Sequence, residues 1–358
     1  MKLTDVVDRI NGNVDRFTTE LEYYIGGEHF ESNELEVTQK GLLKENLGKL
    51  GFKFHFAFQD RDVVFMARNP HLRKAGMVRF AGLCSDASYI LRSKDETVLS
   101  QEYLAVMLQS DHFWDYCESH KVGSVNFANN WSSIANYEFE LPTPEEQKEI
   151  SDKVWAAYRL KKSYKKLLAA TEEMVKSQFI EMFGNPVTNN KGWNTLPIKD
   201  VAPEAPSLEK QTGKVWILNL DMIESNTGKV VEKVFENDSN LLSVAPFDEG
   251  NVLYSKLRPY LNKVVIPDGK GYATTELVPL RPNQKLLNLT FFSHLLRGDD
   301  FVTYANSIST GTKMPRMPLN DLRKFQCILP PMEKQNEFEE IARQADKSGS
   351  VLQYMIAC

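Results

Sequence analysis

The sequence has few cysteines and no long hydrophobic run. Its four cysteines are scattered and form no C-x-x-C pair: Cys84, Cys117, Cys327 and Cys358. Such spacing is typical of reduced thiols and disfavours a disulfide framework or a zinc site. No apolar run of about 18 residues could span a membrane, and the N-terminus lacks the apolar segment of a secretory signal. We therefore expect a cytoplasmic protein without membrane association.

Sequence motifs for catalysis and nucleotide binding are also missing. Neither the phosphate-binding G-x-x-x-x-G-K-[ST] nor the dinucleotide-binding G-x-G-x-x-G occurs. The stretch "NPHL" at 69–72 has only part of the Asn-Pro-Pro-aromatic loop of adenine methyltransferases, and a β-turn explains "PDGK" at 267–270 better than a nuclease core does. The six histidines show no metal-ligand spacing. We predict no catalytic residue and no metal site in this chain.

The overall charge argues against a nucleic-acid-binding protein, but the local charge balance permits one. The net charge is -5 and the pI is about 5.8, whereas nucleic-acid-binding proteins usually carry a basic patch. Residues 60–92, however, carry six Lys and Arg against three Asp and Glu, and residues 254–281 carry five against two. Basic segments that alternate with acidic ones permit a surface that faces a polyanion.

The chain contains an internal repeat. When it is shifted by 189 positions, residues 60–92 align with 249–281 without a gap, and a shift by 188 continues the match towards the C-terminus. Identical pairs include Pro70/Pro259, Leu72/Leu261, Lys74/Lys263, Gly123/Gly311, Pro142/Pro330 and Gln147/Gln335. Each half has a globular segment, a Leu-Pro break and then a helix, which indicates a diverged tandem duplication in a chain long enough for two domains.

A long helix follows the first Leu-Pro break. Thr143 and Glu146 form a capping box, with Pro144 at the first helical position. The next Gly or Pro is Gly184, so we predict a helix from Pro144 to Phe183, about 60 Å long. Its apolar spacing predicts a coiled-coil seam, packed antiparallel against the second copy of the helix, which "KSGS" at 347–350 is expected to interrupt. The seam residues are Ile150, Val154, Ala157, Leu160, Tyr164 and Leu167, facing Phe338, Ile341 and Ala345.

These patterns predict an α/β (α+β) fold with two pseudo-repeat globular domains, separated by long antiparallel coiled-coil helices. The predicted segments are a first domain at 1–142, a central helix at 143–184, a second domain at 185–330 and a short distal helix at 331–358. Within the domains, strands are predicted at 215–223, 252–257 and 263–267, and a helix at 100–118 with its copy at 288–306.

The motifs in this order resemble a known family. "YIGGEHFES", "GNVLYSKLRPYLNKV", "TGTKMPRMPLNDLRKFQCILPPMEKQ", and "LPTPEEQKEI" with a long helix ending in "FIEMFGN" look like the specificity subunit of type I restriction–modification systems. The resemblance implies two target-recognition domains, each reading half of a bipartite double-stranded DNA site, and helices that hold them apart. It also implies methyltransferase and restriction subunits as partners, which bind S-adenosylmethionine, ATP and Mg²⁺, and no cofactor on this chain.

The repeat places side chains that can contact bases or phosphates at matching positions. The candidate DNA-binding residues of the second domain are Ser255, Lys256, Arg258, Tyr260, Thr310, Lys313 and Arg316. Those of the first domain are Arg68, Asn69, His71, Arg73, Lys121, Ser124, Asn126 and Asn129. For each of these residues alone, an ordinary surface position is also compatible with the sequence.

Several other functions remain open at this stage. The chain could be the recognition subunit of a related, type IIB-like system whose partner fuses nuclease and methyltransferase. It could be a diverged DNA methyltransferase, which would bind S-adenosylmethionine, or a scaffold that binds only proteins.

Overall fold

The computed structural model describes residues 1–124, 127–208, 211–237 and 243–357. The chain divides into two compact units, 1–162 and 163–358, and the division lies inside one long helix. The predicted α/β class is confirmed, as is the long helix between two globular parts. In the described ranges, no helix is long and apolar enough to cross a membrane.

The first unit is built on two sheets. Its strands are β1 Val7–Ile10, β2 Tyr23–Ile25, β3 Glu36–Val37, β4 Gly41–Leu42, β5 Phe54–Phe58, β6 Val63–Met66, β7 Ala75–Val78, β8 Gly82–Ser85 and β9 Ser88–Ser93. Its helices are α1 Leu3–Val6, α2 Leu43–Asn46, α3 Gln101–Met107, α4 Asp111–Ser119, α5 Trp131–Ala135 and the first part of α6 Pro144–Phe183. The strand orders are β1-β9-β6-β7-β3 and β4-β2-β8-β5. Alternate residues of β6 enter different cores, Val63 and Phe65 on one face and Val64 and Met66 on the other.

The second unit repeats the central part of this arrangement. Its strands are β10 Thr195–Pro197, β11 Lys214–Leu218, β12 Val234–Asn237, β13 Val244–Phe247, β14 Val252–Ser255, β15 Val264–Val265, β16 Gly271–Thr274, β17 Leu277–Leu280 and β18 Gln326–Ile328. Its helices, besides the end of α6, are α7 Ile198–Val201, α8 Leu289–Arg297, α9 Asp299–Ser307, α10 Leu319–Lys324 and α11 Met332–Ala357. The strand orders are β15-β14-β17, β12-β11-β16-β13 and β10-β18.

The duplication is visible in the strand pairing. β6 pairs antiparallel with β9, with Val63 opposite Leu91. The copies β14 and β17 pair in the same way, with Val252 opposite Leu280. β2 pairs parallel with β8, and β11 pairs parallel with β16. The sequence repeat therefore corresponds to a repeated sheet topology.

Two local predictions need correction. The helix predicted at 100–118 is a pair, α3 and α4, because the hydroxyl of Ser110 accepts from the N–H of Phe113 and starts a new helix. Its copy at 288–306 is divided in the same way, at Gly298. The strand predicted at 215–223 ends at Leu218 and is followed by a 3-10 turn at Leu220–Met222.

Helix α6 has the predicted ends, and its capping box is present. The N–H of Thr143 donates to the Glu146 carboxylate at 2.8 Å, and the N–H of Glu146 donates to the Thr143 hydroxyl at 3.3 Å. The buried side chains of α6 belong to the cores of the globular units. Trp155 and Tyr158 pack into a core of the first unit. Val175, Phe179 and Phe183 join the core of the second unit.

The predicted coiled-coil seam is wrong for most of its α6 residues. The following side chains are exposed: Ile150, Val154, Ala157, Leu160 and Leu167. Tyr164 is half-buried. The sequence period identified an apolar stripe correctly, but the side chains of α6 that are buried are mostly other ones, Trp155 and Tyr158 in the first unit and Val175, Phe179 and Phe183 in the second.

Helix α11 packs antiparallel to the C-terminal part of α6 within the second unit. Its Phe338 ring lies 5.3 Å from Phe179 and 5.7 Å from Phe183, centre to centre. Further along α11, the position of a Cβ on Gly349 would lie 3.4 Å from the Leu168 side chain. Ile341 and Ala345 are half-buried. The interruption predicted at 347–350 is wrong: the helix continues because Gly349 allows close packing against α6.

Candidate nucleic-acid interface

The predicted DNA-binding residues of each unit gather around a short 3-10 turn after a central strand. The turns are Pro70–Leu72 and Pro259–Leu261, each with proline at its first position. Left-handed residues flank both turns: Asn69 and Arg73 have φ of 53° and 47°, and Arg258 and Asn262 both have 49°. This region is unfavourable for side chains other than Gly and Asn. The two turns thus share one backbone shape although their flanking residues differ.

Each turn is fixed to a second loop by backbone hydrogen bonds. The N–H of Asn69 donates to the carbonyl of Phe127 at 2.8 Å, and the N–H of Arg258 donates to that of Pro315 at 2.7 Å. Bridges follow beside them, Arg68 to Ala128 and Leu257 to Arg316. We call these assemblies turn-and-loop modules: 68–73 with 122–124 and 127–128, and 257–262 with 310–316. Residues 125 and 126 lie outside the described residues, and so does the prediction for Asn126.

The polar side chains of the first module differ in exposure and in whether they are ion-paired. Arg68, His71 and Ser124 are exposed and Asn69 is half-buried. Arg73 is ion-paired with Asp111. Lys121 Nζ donates to the Glu118 carboxylate at 2.6 Å and lies 4.7 Å from the centre of the Phe127 ring. Arg68, His71 and Ser124 are therefore the accessible polar side chains in the described part of this module.

In the second module, the carboxylate of Glu276 restrains the cations. Arg316 donates to it through Nη2 at 2.9 Å and Nε at 3.1 Å, and Lys256 Nζ lies 4.0 Å from it. The Arg258 guanidinium reaches the carbonyl of Lys313 at 3.4 Å. Thr310 and Lys313 are exposed, and Tyr260 is half-exposed. The sequence analysis missed Glu276, which sets the charge of this surface.

Two predicted DNA-binding residues are buried, and we correct their roles. Ser255 is 3% exposed, and its hydroxyl donates to the carbonyl of Leu257 at 2.9 Å. Asn129 is 1% exposed, and its amide donates to the carbonyl of Cys117 at 2.7 Å. Both side chains hold backbone next to their modules, and their burial leaves them little surface for contact with DNA.

The repeated lysines Lys74 and Lys263 also have internal partners. Lys74 Nζ donates to the carbonyl of Gly27 at 2.7 Å, and Lys263 Nζ donates to that of Leu220 at 2.6 Å. Both carbonyls belong to the matching 3-10 turns that follow β2 and β11. The two halves therefore share a lysine at this position because it makes the same structural hydrogen bond in each. Among the residues that the structure describes, no cluster of His, Cys, Asp or Glu could hold a metal ion.

Comparison with known proteins finds a family match in the second half of the chain. Residues 190–349 match the family model of the type I restriction modification DNA specificity domain. The specificity subunit of the type I restriction enzyme EcoDI from Escherichia coli is 28% identical over 155 residues, which is 42% of this chain and 34% of that subunit. The family model covers 160 of the 358 residues, and it makes this part of the chain similar to the specificity domains of type I restriction–modification systems. The chain spans about a third of the length of the curated relative that it matches.

Solved structures support the fold over the whole chain. One is a chain from a study of complex assembly and conformational transition of the type I restriction–modification system, with a TM-score of 0.57, 18% identity, and coverage of 100% of this chain and 93% of that one. The type I specificity subunit from M. genitalium has a TM-score of 0.58, 11% identity, and coverage of 100% and 91%. At these identities the likeness supports the fold alone.

Proposed function

We propose that this chain is the DNA-recognition subunit of a type I restriction–modification complex, in which each unit reads one half of a bipartite site. One observation carries the proposal: the same turn-and-loop backbone is built twice with different outward side chains. The first copy presents Arg68 and His71 where the second presents Leu257 and Tyr260. One backbone with two sets of side chains suits a protein that reads two different half-sites.

We further propose that the chemistry belongs to partner subunits. S-adenosylmethionine, ATP and Mg²⁺ would be bound by methyltransferase and restriction subunits, and this chain would contribute no catalytic group. The exposed apolar stripe of α6 offers these partners a surface, because uncovered apolar side chains of this kind often mark interaction sites. Its members include Ile150, Val154, Leu160, Leu167 and Met174, which are between 37% and 52% exposed.

Methylation mapping in cells with and without the gene tests the proposal. We expect one asymmetric bipartite motif to lose its methylation when the gene is deleted. In cells that carry the gene, exchanging residues 186–330 for the matching segment of another family member should change only one half of that motif. The reciprocal control exchanges residues 1–142 and should change only the other half. A motif that survives deletion of the gene, or an exchange that changes both halves, would contradict the proposal.

A further inference from the structure

In the first unit, the guanidinium of Arg9 packs on two aromatic rings, those of Tyr89 and Trp131. We call this pair of rings the platform. Arg9 lies in β1 opposite Leu91 and is half-buried. Its guanidinium carbon lies 4.4 Å from the centre of the Tyr89 ring and 5.8 Å from that of Trp131. Among the described residues, no carboxylate lies within 4.0 Å of the Arg9 guanidinium. The cation is therefore held by ring faces and keeps its charge unneutralised.

The platform is attached directly to the first turn-and-loop module. The Tyr89 hydroxyl donates to the carbonyl of Asn129 at 2.9 Å, and the N–H of Asn129 donates to the carbonyl of Ala67 at 2.8 Å. Arg68, the next residue, forms the bridge to Ala128 that closes the module. Two hydrogen bonds and a bridge thus connect the rings under Arg9 to the strand end that carries the accessible Arg68.

The second unit lacks this feature at the matching position. Glu204 pairs with Leu280, as Arg9 pairs with Leu91, and the two leucines are 189 positions apart. The Glu204 carboxylate accepts from Arg323 Nε at 2.6 Å. The position of Tyr89 is taken by Val278. The first unit therefore has the cationic Arg9 on aromatic rings at this position, whereas the second unit has the ion pair of Glu204 and Arg323, which has no net charge.

A stacked guanidinium is well suited to bind a phosphate. Its five N–H donors lie in a plane, so a ring against one face leaves the edges free for bidentate donation to phosphate oxygens. The rings also restrict the rotamers of the long side chain, which lowers the entropy lost on binding. We propose that Arg9 is a DNA-phosphate contact of the first unit, with no counterpart in the second. This inference rests on the proposed function.

The salt dependence of DNA binding tests the contact. The full chain, reconstituted with methyltransferase subunits, is titrated with a duplex that carries the mapped site at several salt concentrations. For Arg9→Gln we expect the slope of log K against log salt to become less negative by about 0.9, the value for one lost phosphate contact. Arg9→Lys should keep most of the slope. The control Arg343→Gln removes an exposed arginine that is ion-paired with Glu340 and should leave the slope unchanged.

Three results would overturn the inference. An unchanged slope with a lower melting temperature would show that Arg9 only clamps the aromatic residues. An unchanged slope and melting temperature would make it an ordinary surface residue. A loss of preference at a single base pair would make it a base reader. The proposed function fails separately, when the wild-type complex selects no sequence; the slope comparison can then still be made on nonspecific DNA.

Discussion

Gln147 and Gln335 make the same three hydrogen bonds at positions 188 residues apart. In each case the side-chain amide donates to two backbone carbonyls and accepts one backbone N–H. The partners of Gln147 are the carbonyls of Val98 and Pro142, at 2.8 and 2.9 Å, and the N–H of Ser100 at 3.0 Å. Those of Gln335 are the carbonyls of Leu286 and Pro330, at 2.9 and 2.8 Å, and the N–H of Asn288 at 2.9 Å. Each glutamine joins the first turn of its long helix to its globular unit.

Gln335→Leu tests this junction. Three backbone groups would lose their partner in a site where the glutamine is fully buried, so we expect the free energy of unfolding of the second unit to fall by about 1–3 kcal/mol. Urea denaturation measures it. The control is Gln344→Leu on the same helix. The Gln344 amide donates to the Glu340 carboxylate at the surface at 3.0 Å, so this substitution should change stability by less than about 0.5 kcal/mol. Equal effects of both substitutions would contradict a special role for Gln335.

A glycine pair tests how tightly the turn at 226–229 is packed. Gly228 and Gly213 both have positive φ, 69° and 82°, so alanine is strained at each by about 1 kcal/mol. A Cβ on Gly228 would also overlap the carbonyl oxygen of Val264, whereas one on Gly213 meets nothing within 4 Å. We expect Gly228→Ala to lower the melting temperature clearly more than Gly213→Ala. Similar shifts would mean that the Gly228 turn can move away at little cost.

Glu276→Gln tests the restraint on the second module. The substitution removes the carboxylate that holds Arg316 and lies near Lys256, so one or two cations become free to contact phosphate. The slope of log K against log salt should become more negative by about 0.9 for each cation released. Glu249→Gln removes the same charge from an exposed site in the same unit and serves as the control. A change equal to that of the control would show that net charge alone is responsible.

The half-buried His294 makes the stability of the second unit dependent on pH. Burial of the imidazole and the nearby Arg297 together lower the pKa of His294 from its ordinary 6.5 to about 3. Between pH 6.5 and pH 3 the unfolded chain binds a proton at His294 that the folded chain does not bind. The free energy of unfolding therefore falls as the pH falls from 6.5 towards 3. His294→Val, which copies Val106 of the first unit, should reduce the loss between pH 7 and pH 5 by on the order of 1–2 kcal/mol.

Denaturation at both pH values measures the effect of His294→Val. His29 is also half-buried, but it lies in the first unit and accepts from the N–H of Gly26 through Nδ1 at 2.9 Å, so its replacement serves as the comparison. An unchanged pH dependence in His294→Val would show that His294 takes up a proton without disturbing the fold. Carboxylates such as Asp346 and Glu172, which line the cavity beside it, would then have to stabilise the charge.

Local patterns predicted the elements better than they predicted the packing. The ends of α6 followed from Thr143, Glu146 and Gly184, because caps and breakers act within one turn. The predicted burial of the seam was wrong because α6 has more than one set of apolar residues, and periodicity alone cannot show which set a globular unit covers. The helix break predicted at Gly349 was wrong because the close packing of Gly349 against Leu168 outweighs the low helix propensity of glycine.

The candidate site was predicted in position but not in detail. The repeat identified both turn-and-loop modules, since Pro70 and Pro259 fix matching turns. The burial of Ser255 depends on its place in the middle of a sheet, and the restraint of Arg316 depends on Glu276, which is 40 positions away. Contacts over such distances follow from tertiary packing, which a single sequence does not encode in any short pattern.

The length of α6 gives the most direct test of the account. Deleting the heptad Leu160–Lys166 should shorten the helix by about 10 Å while roughly keeping its phase, at the loss of the ion pair between Lys162 and Glu36. Replacing the same seven residues with alanine keeps the length and is the control. DNA rises about 3.4 Å per base pair. Methylation mapping should show a spacer shortened by up to about three base pairs with both half-sites unchanged, and an unchanged spacer in an active complex would contradict the account.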